Sequence, residues 1–402
     1  MIIRHIVTAT ILICGSTMQA QVSDSSAANY KNAAEKLLET DGRLIIGGYG
    51  EVHYNQLLHS SVKNNGDLDV HRMVMLLGYN FNSKTRFISE IEFEHVSEVY
   101  IEQAFLQYKI NNFIQFRAGL MLIPMGIINE YHEPTTFNGV ERPVIDQKIS
   151  PTTWREIGFG LAGTILPASM KYQLYLVNGF NGYDGKATLN GKDGLRGGRQ
   201  KGAESYISSP DFTSRIEYFG IRGLNIGLSA YLGNSQSILF DGIDKNDNSA
   251  LSSADSSVVG ISMIGFDGRY TTGGLQCKFQ IYYTSISNTE QYNAFTTQAT
   301  VNNNLGSSMA GYYVEAGYNI FRSLVKIKTE LIPFLRYEFY DTHLSVSGDL
   351  IKNESFNNKY VTAGLSWKLV SGAVLKTDLQ FIKSGNDLKY TRVLNAGIAV
   401  NF

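Results

Sequence analysis

Alternation with a period of two sets the tightest limit on what this chain can fold into. In KTRFISEIEFEH (84–95), Phe87, Ile91 and Phe93 fall on one face, and Arg86, Glu90, Glu92 and Glu94 on the other. LNIGLSAYLG (224–233) sets Leu224, Ile226, Leu228 and Leu232 against Asn225, Ser229 and Tyr231. GLQCKFQIYYTS (274–285) sets Leu275, Cys277, Phe279, Ile281 and Tyr283 against Gln276, Lys278, Gln280 and Thr284. This is the pattern of strands with one apolar face, and roughly sixteen such segments follow one another, each long for a soluble protein.

The connectors alternate in length. NFNS (80–83), LPAS (166–169), GIRG (220–223), TTGG (271–274) and SG (371–372) are tight, whereas 122–153, 179–209, 234–257, 287–308 and 342–358 are long. Tight turns therefore fall on one side of an antiparallel meander and long loops mostly on the other. In lipid every backbone donor and acceptor needs a partner, so a sheet with its apolar face outward has to close on itself. The expected fold is all-β: a transmembrane antiparallel β-barrel of about 16 strands over residues 44–402, with short periplasmic turns and long external loops. A soluble sandwich or β-helix would show a repeat or a double apolar core, and neither is present. One segment conflicts with this reading. VKIKTELIPFLRYEFYDT (325–342) alternates, but Pro333 in its middle cannot donate to a ladder. Either a bulge lies there or the boundary is misplaced, which leaves the strand count open by two.

The formal charge of −1 argues against a nucleic-acid partner. The 24 Tyr, 21 Phe and 39 Gly, beside only 7 Pro, fit β structure. MIIRHIVTATILICGSTMQAQ has a basic start at Arg4, an apolar run from Ile6 to Cys14 and a small residue at Ala20. It reads as a secretory signal peptide, residues 1–20. Ile13 is too bulky for a lipoprotein cysteine at Cys14. Cleavage leaves Cys277 alone, so no internal disulfide is expected. Residues 21–43 read as a periplasmic lead-in, either a short helix in NYKNAAEKLLETDG or a flexible tail.

The segment LIPMGIINEYHEPTTFNGVERPVIDQKISPTTWRE (122–156) holds four of the seven prolines, Pro124, Pro134, Pro143 and Pro151. It follows the fifth strand-like segment. Its position is similar to that of the third external loop of general porins, which folds into the lumen, and proline suits a loop held in one shape. Its charges are Glu130, Glu133, Glu141 and Asp146 against Arg142 and Lys148. By parity, Arg72, Arg86, Arg117, Arg215, Lys278, Lys326, Lys328 and Arg336 point inward, as do Glu51, Glu90, Glu92, Glu94, Glu156, Glu217, Glu315 and Glu338. The expected constriction pairs Arg72, Arg86, Glu90, Glu92 and Arg117 on the wall with Glu130, Glu133, Arg142 and Lys148 on the loop, an arrangement that creates a transverse field favouring polar solutes. The alternatives are a surface lid or partner-binding loop, and wall ion pairs that only fill and stiffen the barrel. A second basic run, GKDGLRGGRQKG (191–202), fits an anion or lipopolysaccharide contact or a plain solvated loop.

Enzyme signatures are weak. GFGLAG (158–163) matches a glycine motif but runs through a strand with no helix after it. EFEH and EYHE set carboxylates beside His95 and His132, too few ligands in sequence to define a metal site. No G-x-S-x-G string and no nucleophilic cysteine appear, so no catalysis, cofactor or metal is expected.

The final segment YTRVLNAGIAVNF (390–402) resembles the signal strand of bacterial outer-membrane barrels. That resemblance implies recognition by the barrel-assembly machinery through Phe402, with Val400, Ile398 and Leu394 facing lipid and Asn401 and Asn395 inside. VYIEQAFLQYKINNFIQFRAGLMLIPMGIINEYHEP (99–134) and SPDFTSRIEYFG (209–220) are similar to porins of the phosphate-selective porin O/P-like family. The likeness implies export to the outer membrane and contact there with lipid and lipopolysaccharide. It also implies a homotrimer and passive diffusion of small polar or ionic solutes, including anions such as phosphate. The alternative is a secretion or adhesion barrel that uses its loops for partners.

Overall fold

The computed structural model describes residues 31–39, 42–59, 61–297, 302–324 and 326–402; the leader read at 1–20 lies outside them. Sixteen antiparallel strands close into one barrel. The first strand, Leu44–Leu58, pairs with the second, Asp67–Asn80, on one side and with the last, Thr391–Asn401, on the other. Strand lengths run from 8 residues (Gln115–Leu122) to 16 (Glu330–Ser345). A tilted membrane-crossing strand takes about 9–11.

Turn chemistry explains the tight side. Gly273 and Gly274 have φ of +57° and +90° and join Thr272 to Leu275 in a two-residue hairpin, a conformation that glycine adopts without strain. On the outer face Met73, Phe93, Leu106, Phe159, Leu228, Ile264, Leu335 and Ile398 are exposed. Such a continuous apolar band is a liability in water and the proper solvated face in lipid. Tyr108, Tyr218, Tyr270, Tyr318 and Trp367 stand exposed near the turn-side ends of their strands, where amphipathic rings suit a membrane interface.

The barrel closes on its terminal residue. Phe402 N donates to Gly48 O and Gly48 N to Phe402 O, both at 2.9 Å. Leu394, Ile398 and Val400 are exposed on the outside, while Asn395 is buried inside.

Two expectations need correction or resolution. Lys326 and Lys328 do not line the lumen: the strand begins only at Glu330, and both lysines are exposed in the preceding turn. Pro333 does lie within a strand. It pairs opposite Leu365, whereas the ladder with Ser308–Tyr318 ends at Phe334, so its missing N–H falls beyond that ladder. The strand count stays at sixteen.

The lumen is occupied. A helix, Ala33–Glu39, sits inside the turn-side end with Ala33, Ala34 and Leu37 buried, packing near Gly47 and Gly78 of the first two strands. The external loops interlock. Tyr292 donates to Gly182 O at 2.6 Å, and the strand pieces Asn181–Tyr183 and Gln236–Ser237 pair in parallel.

Candidate functional site

The chain leaves the wall at Leu122 and rejoins it at Arg155. Asn129 closes the neck between them, donating to Ile123 O at 2.7 Å and Trp154 O at 2.9 Å. An irregular chain inside a barrel has no ladder to satisfy its backbone, so other partners have to be found. The wall side chains supply them. Ile127 N donates to Gln280 at 2.5 Å, Val144 N to Glu338 at 2.5 Å and Val140 N to Asp378 at 2.7 Å. In the other direction, Arg72 donates to His132 O at 2.5 Å, Lys376 to Gly139 O at 2.9 Å and Arg336 to Glu141 O at 3.1 Å. The inward charges thus hold the loop across the whole bore. Each of the sixteen strands contributes at least one inward side chain that is no more than 3% exposed, among them Tyr49, Arg72, Glu90, Glu102, Arg215, Arg336 and Asn395.

A cavity remains at either end. On the turn side, about 320 Å³ is lined by six basic side chains, Lys31, Lys84, Arg86, Lys109, Arg117 and Lys171, against the single carboxylate of Glu35. On the loop side, about 250 Å³ is lined by Glu51, Glu92, Glu94, Glu141 and Glu338, with Arg72, Arg142, Arg196, His53 and His71.

On the wall formed by the first four strands, buried inward side chains separate the two: the apolar Val74, Leu76, Ile88 and Phe105 on the turn side, and a polar cluster above them. Gln103 donates to Glu90 at 2.6 Å, and Tyr49 donates to Glu90 at 2.5 Å and Glu102 at 3.2 Å. His132 Nε2 lies 3.3 Å from Glu102 and 3.4 Å from Glu90. Above them the Arg72 guanidinium covers the Tyr49 ring at 5.0 Å and bonds Glu51 at 2.6 Å. Burial opposes a charge on His132, yet the carboxylates of Glu102 and Glu90 outweigh it and raise the imidazole to about 10. Farther along the loop, burial raises the Asp146 carboxyl to about 8, against hydrogen bonds from Tyr282 and Gln280 that favour the anion.

The residues expected to form one constriction divide among four places. Arg72, Glu92 and Arg142 face the outer cavity, and Arg86 and Arg117 the inner one. Glu90, Glu130 and Glu133 are buried between them: Glu130 pairs with Arg215 at 3.0 Å, and Glu133 accepts from the backbone N–H of Ala33. Lys148 turns away to Asp193 at 3.0 Å and the Lys192 carbonyl at 3.2 Å, in the next external loop.

Several groups at the heart of the site were not singled out from sequence. Glu102 and Gln103 are neighbours that both point inward, because a bulge shifts the register between Glu90↔Gln103 and Ile91↔Ile101. Strict parity cannot place both. Arg215 with Asp267 at 2.6 Å, and Arg336 with Glu338 at 2.7 Å, form buried ion pairs rather than exposed pore charges.

No family model matches the sequence. The barrel is similar to those titled Salmonella typhi OmpF complex with daunomycin (TM-score 0.56, 12% identity, 89% of this chain and 97% of that one) and anion-selective porin from Comamonas acidovorans (0.54, 12%, 89% and 99%). It is also similar to an OmpT loop-deletion mutant of Vibrio cholerae (0.52, 12%, 89% and 99%). An uncharacterized protein of Aquifex aeolicus (strain VF5) is 31% identical over 358 residues, 86% of this chain and 77% of that one. The chain belongs to the family of this Aquifex aeolicus protein, and its fold is the closed 16-strand antiparallel barrel shared with outer-membrane porins.

Proposed function

We propose that this chain is an outer-membrane channel of the porin class, passing small ionic or polar solutes by diffusion. The supporting observation is the pair of lumen cavities that share the third strand, Arg86 below and Glu92 and Glu94 above, with the buried Ile88 and Glu90 between them. On this reading, displacement of the 123–154 loop from its wall partners joins the two cavities. On this reading residues 1–20 are the export leader, 21–43 the lead-in and 44–402 the membrane unit. Lipid and lipopolysaccharide surround it, and Phe402 is its signal to the assembly machinery. A homotrimer fits, since OmpT of Vibrio cholerae is described in a trimer form. The basic inner cavity supports anions, phosphate among them, as the preferred solutes. Diffusion through such a passage calls for no catalytic group.

A second reading, a secretion or adhesion barrel working through its loops, is favoured by the sealed mid-lumen and the interlocked external loops. Planar-bilayer recording of the purified protein separates the two. The channel reading expects resolved steps of nanosiemens order, with openings limited by the loop. Silence at saturating protein favours the second reading.

A further inference from the structure

At the outer lip of the lumen, three groups converge that sequence spacing kept apart. Asp69 and His71 lie two residues apart in the second strand and so share its inner face. His95 follows the third strand in a turn where His95 and Val96 have φ of +51° and +68°, and its backbone N–H bonds His71 O at 3.4 Å. The turn therefore brings the His95 ring back over the second strand. Both Nδ1 atoms face the same oxygen, Asp69 Oδ2, at 2.7 Å from His95 and 3.4 Å from His71.

We propose that Asp69, His71 and His95 form a binding site for a divalent transition-metal cation of the zinc class. The donor set, two imidazole nitrogens and a carboxylate oxygen with a fourth position open to water, suits such an ion. Nitrogen donors in that proportion disfavour calcium and magnesium, which prefer oxygen. Metal–ligand bonds of ~2.0–2.1 Å in a tetrahedron hold donors about 3.3 Å apart. The His71–Asp69 separation already fits. The His95–Asp69 pair has to widen slightly, which a side chain 47% exposed on a turn can do. Asp69 and His71 are about one-third exposed, so an ion reaches them from outside. Behind them, His53 stacks on His71 at 4.6 Å and 12°, and is itself fixed by Glu51 at 3.1 Å and Glu141 at 3.2 Å. Outer groups of this kind hold a ligand ring in its binding orientation.

The test is titration of the purified full-length protein in detergent with Zn²⁺, followed by calorimetry, and with Co²⁺, followed by its visible absorption. One ion per chain is expected, with Co²⁺ bands of four-coordinate form. His95→Asn, which tolerates the positive φ, and Asp69→Asn should each weaken Zn²⁺ binding by about tenfold or more. His59→Ala, on the first external loop and outside the site, should leave it unchanged. Heat-modifiable migration on gels checks that each variant is folded. Absence of stoichiometric binding in the parent overturns the proposal, and so does parent-like affinity in folded His95→Asn and Asp69→Asn.

Discussion

The two ends of the lumen are built by one rule and differ in sign. At the turn side, six basic side chains meet one carboxylate; at the loop side, five carboxylates outnumber three arginines. Most members of each set are inward positions of the same alternating wall. Lys31 and Glu35 of the lead-in join them at the turn side, and Glu141, Arg142 and Arg196 of the loops at the other. Alternation therefore decides only that a wall charge faces the bore. Height along the strand decides which charge it meets. Lys84, Lys109 and Lys171 come from strand ends beside tight turns, whereas Glu51, Glu92 and Glu94 come from the upper half, where Glu141 of the inserted loop joins them. On the channel reading, a solute crossing the barrel from the loop side leaves a field that favours cations and enters one that favours anions. Selectivity then depends on which end lies in series with the barrier.

The comparison breaks most severely if the partition itself fails. Arg72→Ala takes the guanidinium from the buried carboxylates of Glu92 and Glu51, the latter keeping His53 and Arg142, and frees the His132 carbonyl. Removing one partner of a buried pair costs ~3–5 kcal/mol. Urea unfolding in liposomes should show a loss of that size, and bilayer recordings a higher open fraction; unchanged stability would mean that Arg72 does not anchor the polar cluster. Charge changes at the two ends come next. Arg86→Glu with Arg117→Glu reverses two inner charges and should move the reversal potential in a salt gradient toward cations. Glu92→Gln with Glu94→Gln only neutralises two outer charges and should move it less, toward anions. A response to the outer pair alone would remove the inner cavity from the conduction path.

The smallest effect expected is that of pH. His132, raised to about 10, and Asp146, raised to about 8, each hold a proton more tightly in the folded loop than in an unfolded chain. The folded state therefore binds more protons, and stability falls as pH rises. For Asp146 the loss runs from its ordinary carboxylate range up to about 8, and for His132 from about 6.5 up to about 10. Openings should become more frequent between neutral pH and about 10. A flat record across that window would show that these two groups do not hold the loop.

Much of the wall was legible in the sequence. A strand number of about sixteen and the inward direction of Arg72, Glu90, Arg215 and Arg336 follow from a period of two, and the side of each turn from the lengths of the connectors. What escaped has specific causes. Bulges add one residue and reverse parity, at Glu102 and again where Val70 and His71 oppose Val52. This is why Glu102 and the Asp69–His71–His95 cluster were not assembled from sequence. Lys326 and Lys328 alternate as a strand does, yet their partner strand has already ended. Periodicity describes a face, not how far across the bore a loop will reach. The filling of the lumen by residues 123–154 therefore had no signal beyond the prolines and the position after the fifth strand.

The loop's anchors also have a mechanical consequence. A one-layer cylinder resists stretching along its ladders but flattens easily under sideways load. Here the inserted segment acts as a hub, with spokes running to Arg72 in the second strand, Gln280 in Leu275–Ser287, Arg336 and Glu338 in Glu330–Ser345, and Lys376 and Asp378 in Ala373–Ser384. Spokes reach both sides of the seam where Gly48 meets Phe402, so lateral pressure from the surrounding bilayer is carried across the bore as well as around the rim. A barrel braced in this way stays round at the cost of its openness, and loosening the hub makes it at once more conductive and more compliant.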